Sequence, residues 1–517
     1  MLQLRRGAAA VTGAPPPLRG RCGVLAEVLD AAGAQYGERE AYVEPGRRLT
    51  FAELSRASDS LAAALAARGV ERGDVVALML PSSIDFAVCY AALARLGAVT
   101  TGLNTRLGPQ ETAAILDCAR PVLVIRDTEA GLPEPPPGTA VFTRAELAAA
   151  CAGPGLRTPV PVLPDDPVVI IWTSGTTGTP KGAWFDSRNL AAAATAAGVM
   201  SAPYDRRLVA TPFAHAGYLA KLWDQLAWGI TMVIPPVPWS APETARILRA
   251  ERITVAGAVP TQWEKLLEEP DSGPLPDLRL GIAATAPAPP ELVEKTAARL
   301  GVPLVVRYAM TESPTICGTE PDDPPRTQFR TVGRAQEGTE VEVTDEQDVP
   351  VPAGTVGRVR VRGGCVMRGY WRQPELTAET LSPEGWLRTG DFGHFTEEGD
   401  LVLSGRAGDL YIRGGYNVHP LEVENVLSSH PGVGRVAVVG TPAPVIGEIG
   451  VAFVVPADPS RPPTREALRE WTRDRLADYK APDRVQLVGE LPLTAMLKID
   501  RNALRALAGR SAGETRS

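Results

Sequence analysis

The chain has 517 residues, too many for one hydrophobic core, so at least two domains are expected. Its composition, 44% hydrophobic and 22% charged, is that of a globular protein, and a net charge of −7 argues against nucleic acid as a bulk partner. No apolar run reaches the roughly 18 residues of a membrane span, and six singly scattered cysteines argue against a disulfide framework or zinc centre and for reduced thiols in the cytoplasm.

Residues 1–23 are basic and lack a sustained apolar stretch, so they read as a disordered tail. The first helix with a clear start is "TFAELSRASDSLAAALAARGV", where Thr50 and Glu53 stand at capping-box spacing and Leu54, Ala57, Leu61 and Leu65 share one face. "DVVALML" then reads as a buried strand, "SSIDFAVCYAALARLGAV" as a helix closed by Gly97, and "VLVIRD" as a second strand. This alternation predicts parallel α/β architecture. After a Pro/Gly-rich connection, the strand "DPVVIIW" delivers a loop, and "RLVATPF", "TMVIPP", "RITVAGAVP", "LRLGIAA" and "VPLVVRYAM" continue the pattern. Beyond about Gly338 the strands "EVEVTD", "GRVRVRG" and "DLVLSGR" are short and alternating, which predicts an antiparallel, barrel-like part. The last segment, with a Gly-Gly turn, helices from Pro420 and Arg465 and strands "RVAVVG" and "GVAFVVP", is long enough for a small domain of its own.

The loop delivered by "DPVVIIW" is "TSGTTGTPKG", Thr173 to Gly182. Backbone N–H groups and hydroxyls of such a loop can curl around an anion, and Lys181 adds charge. It is not a Walker A loop, since Pro180 precedes the lysine and Gly182 follows it. "TSGTTGTPKG" resembles the signature loop of the adenylate-forming superfamily: acyl-CoA synthetases, adenylation domains of peptide synthetases and luciferases. Four further motifs resemble that family in order: "RYAMTES" (Arg307 to Ser313), "GWLRTGDFG" (Gly385 to Gly393), "GRAGDLYIRGGYNVHPLEVE" (Gly405 to Glu424) and "LPLTAMLKIDR" (Leu491 to Arg501).

The resemblance implies two half-reactions. A carboxylate attacks the α-phosphate of ATP to give acyl-AMP and pyrophosphate, and a thiol, usually coenzyme A, then displaces AMP. The nucleophile is already ionised near neutral pH, so the work left to the protein is alignment and charge stabilisation at phosphorus. By the same resemblance, Thr173, Ser174, Gly175, Thr176, Thr177, Gly178 and Lys181 cradle the β- and γ-phosphates. Glu312 holds Mg²⁺ and Thr311 donates to the α-phosphate. Tyr308 and the segment Ala284, Thr285, Ala286 and Pro287 face adenine. Asp391 accepts from the ribose, with Arg406 beside it. Lys498 bridges the carboxylate and α-phosphate, and the Gly414–Gly415 turn lines the pantetheine path. His215 guards the acyl pocket as a gate rather than a base. Small residues at the matching walls, Ala214, Ala216, Gly217, Ala256, Gly257, Ala258, Gly281 and Ala283, leave room for a bulky hydrophobic acid, although Ala309, also in the pocket, replaces the family's usual glycine and works the other way.

Two more departures from the family pattern bear on the balance between half-reactions: Gly408 stands where the hinge usually carries Asp or Lys, and Leu497 where a glycine usually precedes the lysine. "FAHAGYL" has no acid of the kind that amino-acid-activating domains use for an ammonium group, which points to a free-standing acyl-CoA synthetase using ATP, Mg²⁺ and coenzyme A. Two alternatives stay open: a ligase that passes acyl-AMP or the acyl group to a partner enzyme or acyl-carrier protein, and a nucleotide-binding pseudoenzyme. The expected fold is α/β. Residues 24–405 form a large N-terminal domain of two α/β subdomains plus a β-barrel-like subdomain, and residues 406–517 a small, mobile α+β domain that swings between half-reactions.

Overall fold

The computed structural model of the chain describes residues 18, 22–127, 135–156, 158–173, 180–209, 211–270, 273–284, 290–494 and 499–510. Four sheets carry the fold. The first has seven strands in the order Gly369–Tyr370, Lys181–Asp186, Pro167–Thr173, Val99–Gly102, Val75–Met79, Leu123–Arg126 and Ala140–Thr143. Its inner pairings are parallel, as the alternation predicts. The strand Lys181–Asp186 is added antiparallel to Pro167–Thr173, so the Gly/Thr-rich segment is the tip of a hairpin.

The second sheet has nine strands and is assembled from distant parts of the chain. The hairpin Glu40–Glu44 and Arg47–Thr50 closes one edge of a sheet whose other strands lie between Arg206–Leu208 and Arg334–Ala335. Nothing in the local sequence signals this, because strand pairing is a tertiary choice. The helix Phe51–Ala66 begins where the capping box predicts: Glu53 N donates to Thr50 Oγ1 at 3.2 Å, and Thr50 N donates to Glu53 Oε2 at 2.8 Å. The helix Ile84–Leu96 ends at Gly97 with φ 64°, the left-handed cap that glycine adopts without penalty. It lies between the two large sheets and is buried on every face.

The barrel-like part is a four-stranded antiparallel sheet, Thr339–Thr344, Gly357–Gly363, Leu387–Phe395 and Leu401–Arg406, in chain order. After Arg406 a separate five-stranded sheet is built around the long hairpin Val433–Ala443 and Gly447–Pro456, with helices Pro420–Ser428 and Arg501–Arg510 packed on it. Its apolar residues form clusters of their own. Gly408 sits in the connecting segment, where its carbonyl accepts from Arg505 at 3.1 Å and the Asp409 carboxylate pairs with Arg505 at 2.9 Å. The anchoring that a side chain at this position would supply comes from the backbone and from the next residue. No helix among the described residues is long and apolar enough to cross a membrane.

Register splits the small residues expected to line one acyl pocket. Ala256 pairs with Gly281, which pairs with Leu304, so these share a face, as do Ala258, Ala283 and Val306. That face packs on Trp263, Leu292 and Val293. A Cβ at Gly281 would lie 3.0 Å from Leu304 Cδ1 and 3.2 Å from the Trp263 ring. Gly281 is therefore a core position that admits an indole ring, and is set aside as a pocket wall. Replacing it tests this. Gly281→Leu overpacks the core and should cost about 1–3 kcal/mol, read as a lowered thermal midpoint and a loss of activity equal for large and small acids.

Candidate active site

In open α/β sheets, ligands bind beyond the carboxyl ends of the parallel strands. Several of the expected residues, Thr173, Ala284, Thr311 and Glu312 among them, lie at or just past those ends. Thr173 closes the strand Pro167–Thr173 and pairs with Lys181 across the hairpin. Ser174, Gly175, Thr176, Thr177 and Gly178 lie outside the described residues, but the two arms that hold them are fixed. Trp371 N donates to Gly182 O at 2.7 Å, and Gln373 Nε2 donates to Pro180 O at 3.1 Å. The Lys181 ammonium stands 5.8 Å from the centre of the Tyr370 ring, within cation–π range.

Tyr370 also reaches the other charged group. Its hydroxyl donates to Glu312 Oε1 at 2.8 Å, and Met367 N donates to the Glu312 carbonyl at 2.8 Å. Glu312 lies in the two-residue turn, with Thr311, between strands Leu304–Met310 and Ser313–Gly318, and is only 8% exposed. Its second oxygen has no protein donor among the described residues, and no group of three or more His, Cys, Asp or Glu residues gathers there to hold a metal. One carboxylate with a free oxygen beside an anion loop fits Mg²⁺, which keeps waters and binds through one or two carboxylates plus phosphate oxygens.

Asp391 is 4% exposed and lies between two donors. Tyr308 gives its hydroxyl to Oδ2 and Arg406 gives Nε to Oδ1, each at 2.5 Å. Burial first, and then the Asp391 carboxylate, push the Tyr308 phenol well above its usual range, and burial and Glu312 do the same to Tyr370. Both phenols therefore stay protonated and serve as donors at neutral pH. A carboxylate has about four acceptor positions. Two are used here, which leaves room for a pair of ribose hydroxyls.

Ala284 ends the strand Leu280–Ala284, next in the sheet to the strand carrying Tyr308. Thr285, Ala286 and Pro287 lie outside the described residues, as do Leu497 and Lys498. Ala309 falls where the pairing with Ser313–Gly318 slips register between Tyr308 and Met310. The extra residues are on the partner strand, where Pro314, Thr315 and Ile316 stand opposite the single Ala309. Gly414 and Gly415 form the turn between Tyr411–Arg413 and Tyr416–Val418 with φ of 58° and 87°, a geometry that calls for glycine.

His215 starts the short helix Ala216–Leu219 and is half-buried. Its Nε2 lies 3.0 Å from Asn104 Nδ2. The Asn104 carbonyl oxygen already accepts from Arg106 N at 3.0 Å, so the amide group donates to the ring and Nε2 is an acceptor. That bond fixes the orientation of the His215 ring. Gly217 approaches Thr211 closely, since a Cβ there would meet Oγ1 at 2.5 Å, and contributes no open volume. A Cβ at Gly257 would meet only Ile282, at 3.9 Å, so this glycine does border open space. Sequence reasoning missed Asn104 and Tyr370. The first had a signal, its place just past the end of the parallel strand Val99–Gly102. The second had none, because its contact to Glu312 spans 58 residues.

Comparison with known proteins agrees with this geometry. Residues 29–371 match the AMP-binding enzyme family and residues 422–498 the AMP-binding enzyme C-terminal domain. A CoA ligase of Rhodococcus jostii RHA1, named for a methyl-dioxo-octahydroindenyl propanoyl group, is 32% identical over 92% of this chain and 97% of its own length. A feruloyl-CoA synthase of an Amycolatopsis species is 35% identical over 90% of this chain and 95% of its own length. The ATP-bound structure of MatB from Rhodopseudomonas palustris has a TM-score of 0.84 at 29% identity, covering 93% of this chain and 98% of that one. A hairpin-borne anion loop, a lone buried glutamate, a doubly held aspartate and a family match spanning well over half the chain lead to one conclusion: the protein belongs to the AMP-binding, adenylate-forming enzymes.

Proposed function

We propose that the protein is a free-standing, AMP-forming acid–thiol ligase. It joins a carboxylic acid to ATP as acyl-AMP with release of pyrophosphate, then transfers the acyl group to coenzyme A with release of AMP. The observation that carries this reading is the Tyr308–Asp391–Arg406 arrangement beside the hairpin of Lys181 and the Glu312–Tyr370 pair. It presents a ribose acceptor, an anion loop and a cation ligand at one strand-end crevice. A bare nucleotide-binding scaffold needs the first of these but not the charged set around it, so the pseudoenzyme reading is disfavoured.

In this reading Thr173, Lys181 and the loop between them hold the departing phosphates. Glu312 would hold Mg²⁺, positioned by Tyr370, and the ion when bound neutralises phosphate charge. Thr311 would steady the α-phosphate and Asp391 the ribose. Lys498 would place its charge where the acid's carboxylate meets the α-phosphate. The domain division near residue 405 would let the C-terminal part exchange Lys498 for the Gly414–Gly415 turn between the two half-reactions. All six cysteines are free thiols, which fits a reducing compartment such as the cytoplasm. Gly257 supports a bulky hydrophobic acid, because apolar ligand surface gains roughly 25 cal/mol per Å² on leaving water.

Three outcomes test the reading. Lys498→Ala should lower acid-dependent exchange of pyrophosphate into ATP by about 10²–10³-fold while sparing thioester formation from supplied acyl-AMP. Normal exchange in this variant would remove Lys498 from the assignment. Asp391→Asn leaves Arg406 without its counter-charge and weakens the ribose acceptor, and should raise the KM for ATP about 10–100-fold with little change in the KM for the acid. Gly257→Leu should fold normally and lower kcat/KM for large acids more than for propionate. A wild-type optimum on a two- or three-carbon acid would overturn the size assignment. Running each assay with coenzyme A and with a carrier protein as acceptor distinguishes the ligase reading from the carrier-loading alternative.

A further inference from the structure

Lys221 lies between the helix Ala216–Leu219, which His215 starts, and the helix Leu222–Trp228. Its ammonium donates to Thr315 Oγ1 at 2.7 Å and reaches the Ala193 carbonyl at 3.5 Å. Thr315 is 2% exposed, and its hydroxyl proton is committed to the Pro314 carbonyl at 2.8 Å, so its oxygen can only accept from the lysine. An ammonium has three donors. The third has no partner among the described residues, and no carboxylate lies within ion-pair distance.

The nearest acid, Asp224, is 1% exposed and is engaged by Arg207 at 3.0 Å and Ser201 at 2.8 Å. Arg207 thus holds this carboxylate, and Lys221 is left without a paired acid. Burial pulls the Lys221 ammonium below the usual lysine range, with Asp224 opposing the shift and Arg207 and Arg307 adding to it. A neutral methionine would fill the same space without the cost of desolvating a charge. Lys221 as a residue keeps some exposure, while Leu222, Trp223 and Asp224 beside it are buried.

Thr315 stands three residues along the chain from Glu312, a separation of at most on the order of 10 Å across a stretch where the strand register slips. An acid whose carboxyl reacts beside Glu312 would bring the far part of its acyl group within that range. We propose that Lys221 is a specificity-determining residue: it receives a hydrogen-bond-accepting oxygen, a carbonyl or a carboxylate, on the distal part of an otherwise apolar substrate acid. This rests on the ligase reading above and names the substrate class more narrowly. A site built to bond an oxygen discriminates strongly against the analogue that lacks it, because the buried donor is then left unpaired.

The test uses matched acids and the full-length enzyme: cyclohexylpropanoate against its ring-keto analogue, and hexanoate against its penultimate-keto analogue and the matching dicarboxylate. Wild type should favour the oxygenated member of at least one pair by about tenfold or more in kcat/KM, and the keto and dicarboxylate arms tell a neutral acceptor from an anion. In Lys221→Met that preference should vanish, with the plain acids and the KM for ATP within about twofold of wild type and an unchanged thermal midpoint. Lys221→Arg should retain part of it. A wild type indifferent to the distal oxygen overturns the inference whether or not the variants fold. So does a Lys221→Met enzyme that loses activity equally on both members of a pair, the mark of a strut between the helix and Thr315. Wild type that releases pyrophosphate with none of these acids nor any of a wider panel refutes the ligase reading itself, a different result from indifference.

Discussion

A buried carboxylate held from two sides organises this molecule. Asp391 and Arg406 face each other on neighbouring strands of the four-stranded antiparallel sheet, and Tyr308 belongs to the nine-stranded sheet. A carboxylate almost out of water must be hydrogen-bonded or ion-paired, so the two sheets are drawn to one point. Beyond Arg406, Ala407 N still bonds back to the Gly390 carbonyl at 2.9 Å, and after that the chain turns toward its own last helix.

Around this point the crevice is assembled from strand ends. Two large sheets, each parallel at its centre, present their carboxyl edges, and the groups there are of two kinds. One set comprises half-buried Lys181 and the partly used acceptors Glu312 and Asp391. The other comprises half-buried His215, the open face of Gly257 and Ala309 at the register slip. Tyr370 links two members of the first set, since its ring faces the Lys181 ammonium while its hydroxyl holds Glu312. An aromatic with a polar tip suits that place, offering a π-face to a cation and a donor to an anion.

The distribution of buried charge separates structural from functional pairs. Asp205 holds Arg279, Asp186 holds Arg368 and Glu424 holds Arg501, each closing a local account of charge inside the fold. Arg435 and Glu264 meet at 3.5 Å and the rings of Phe392 and His419 at 5.0 Å, two of the contacts by which the C-terminal segment meets the rest of the chain.

The sequence by itself determined the elements and the chemistry. Thr50 and Glu53 start a helix, Gly97 ends one, and alternating apolar runs become parallel strands, because caps and periodicity are local properties. Glu312, Asp391, Tyr308 and Lys181 were legible as site residues because they sit in motifs of fixed spacing. The tertiary structure decided which strands share a sheet, so that Glu40–Glu44 pairs with Thr231–Val233 some 190 residues later, a pairing no local signal carries. It also decided which way each small residue faces. Gly257 and Gly281 look alike as letters, but register turns one toward open space and the other onto Trp263. Asn104, Tyr370 and Lys221 gained their meaning only from partners 111, 58 and 94 residues away. Side-chain direction and long-range contact follow from packing the whole chain, and a short motif holds no record of either.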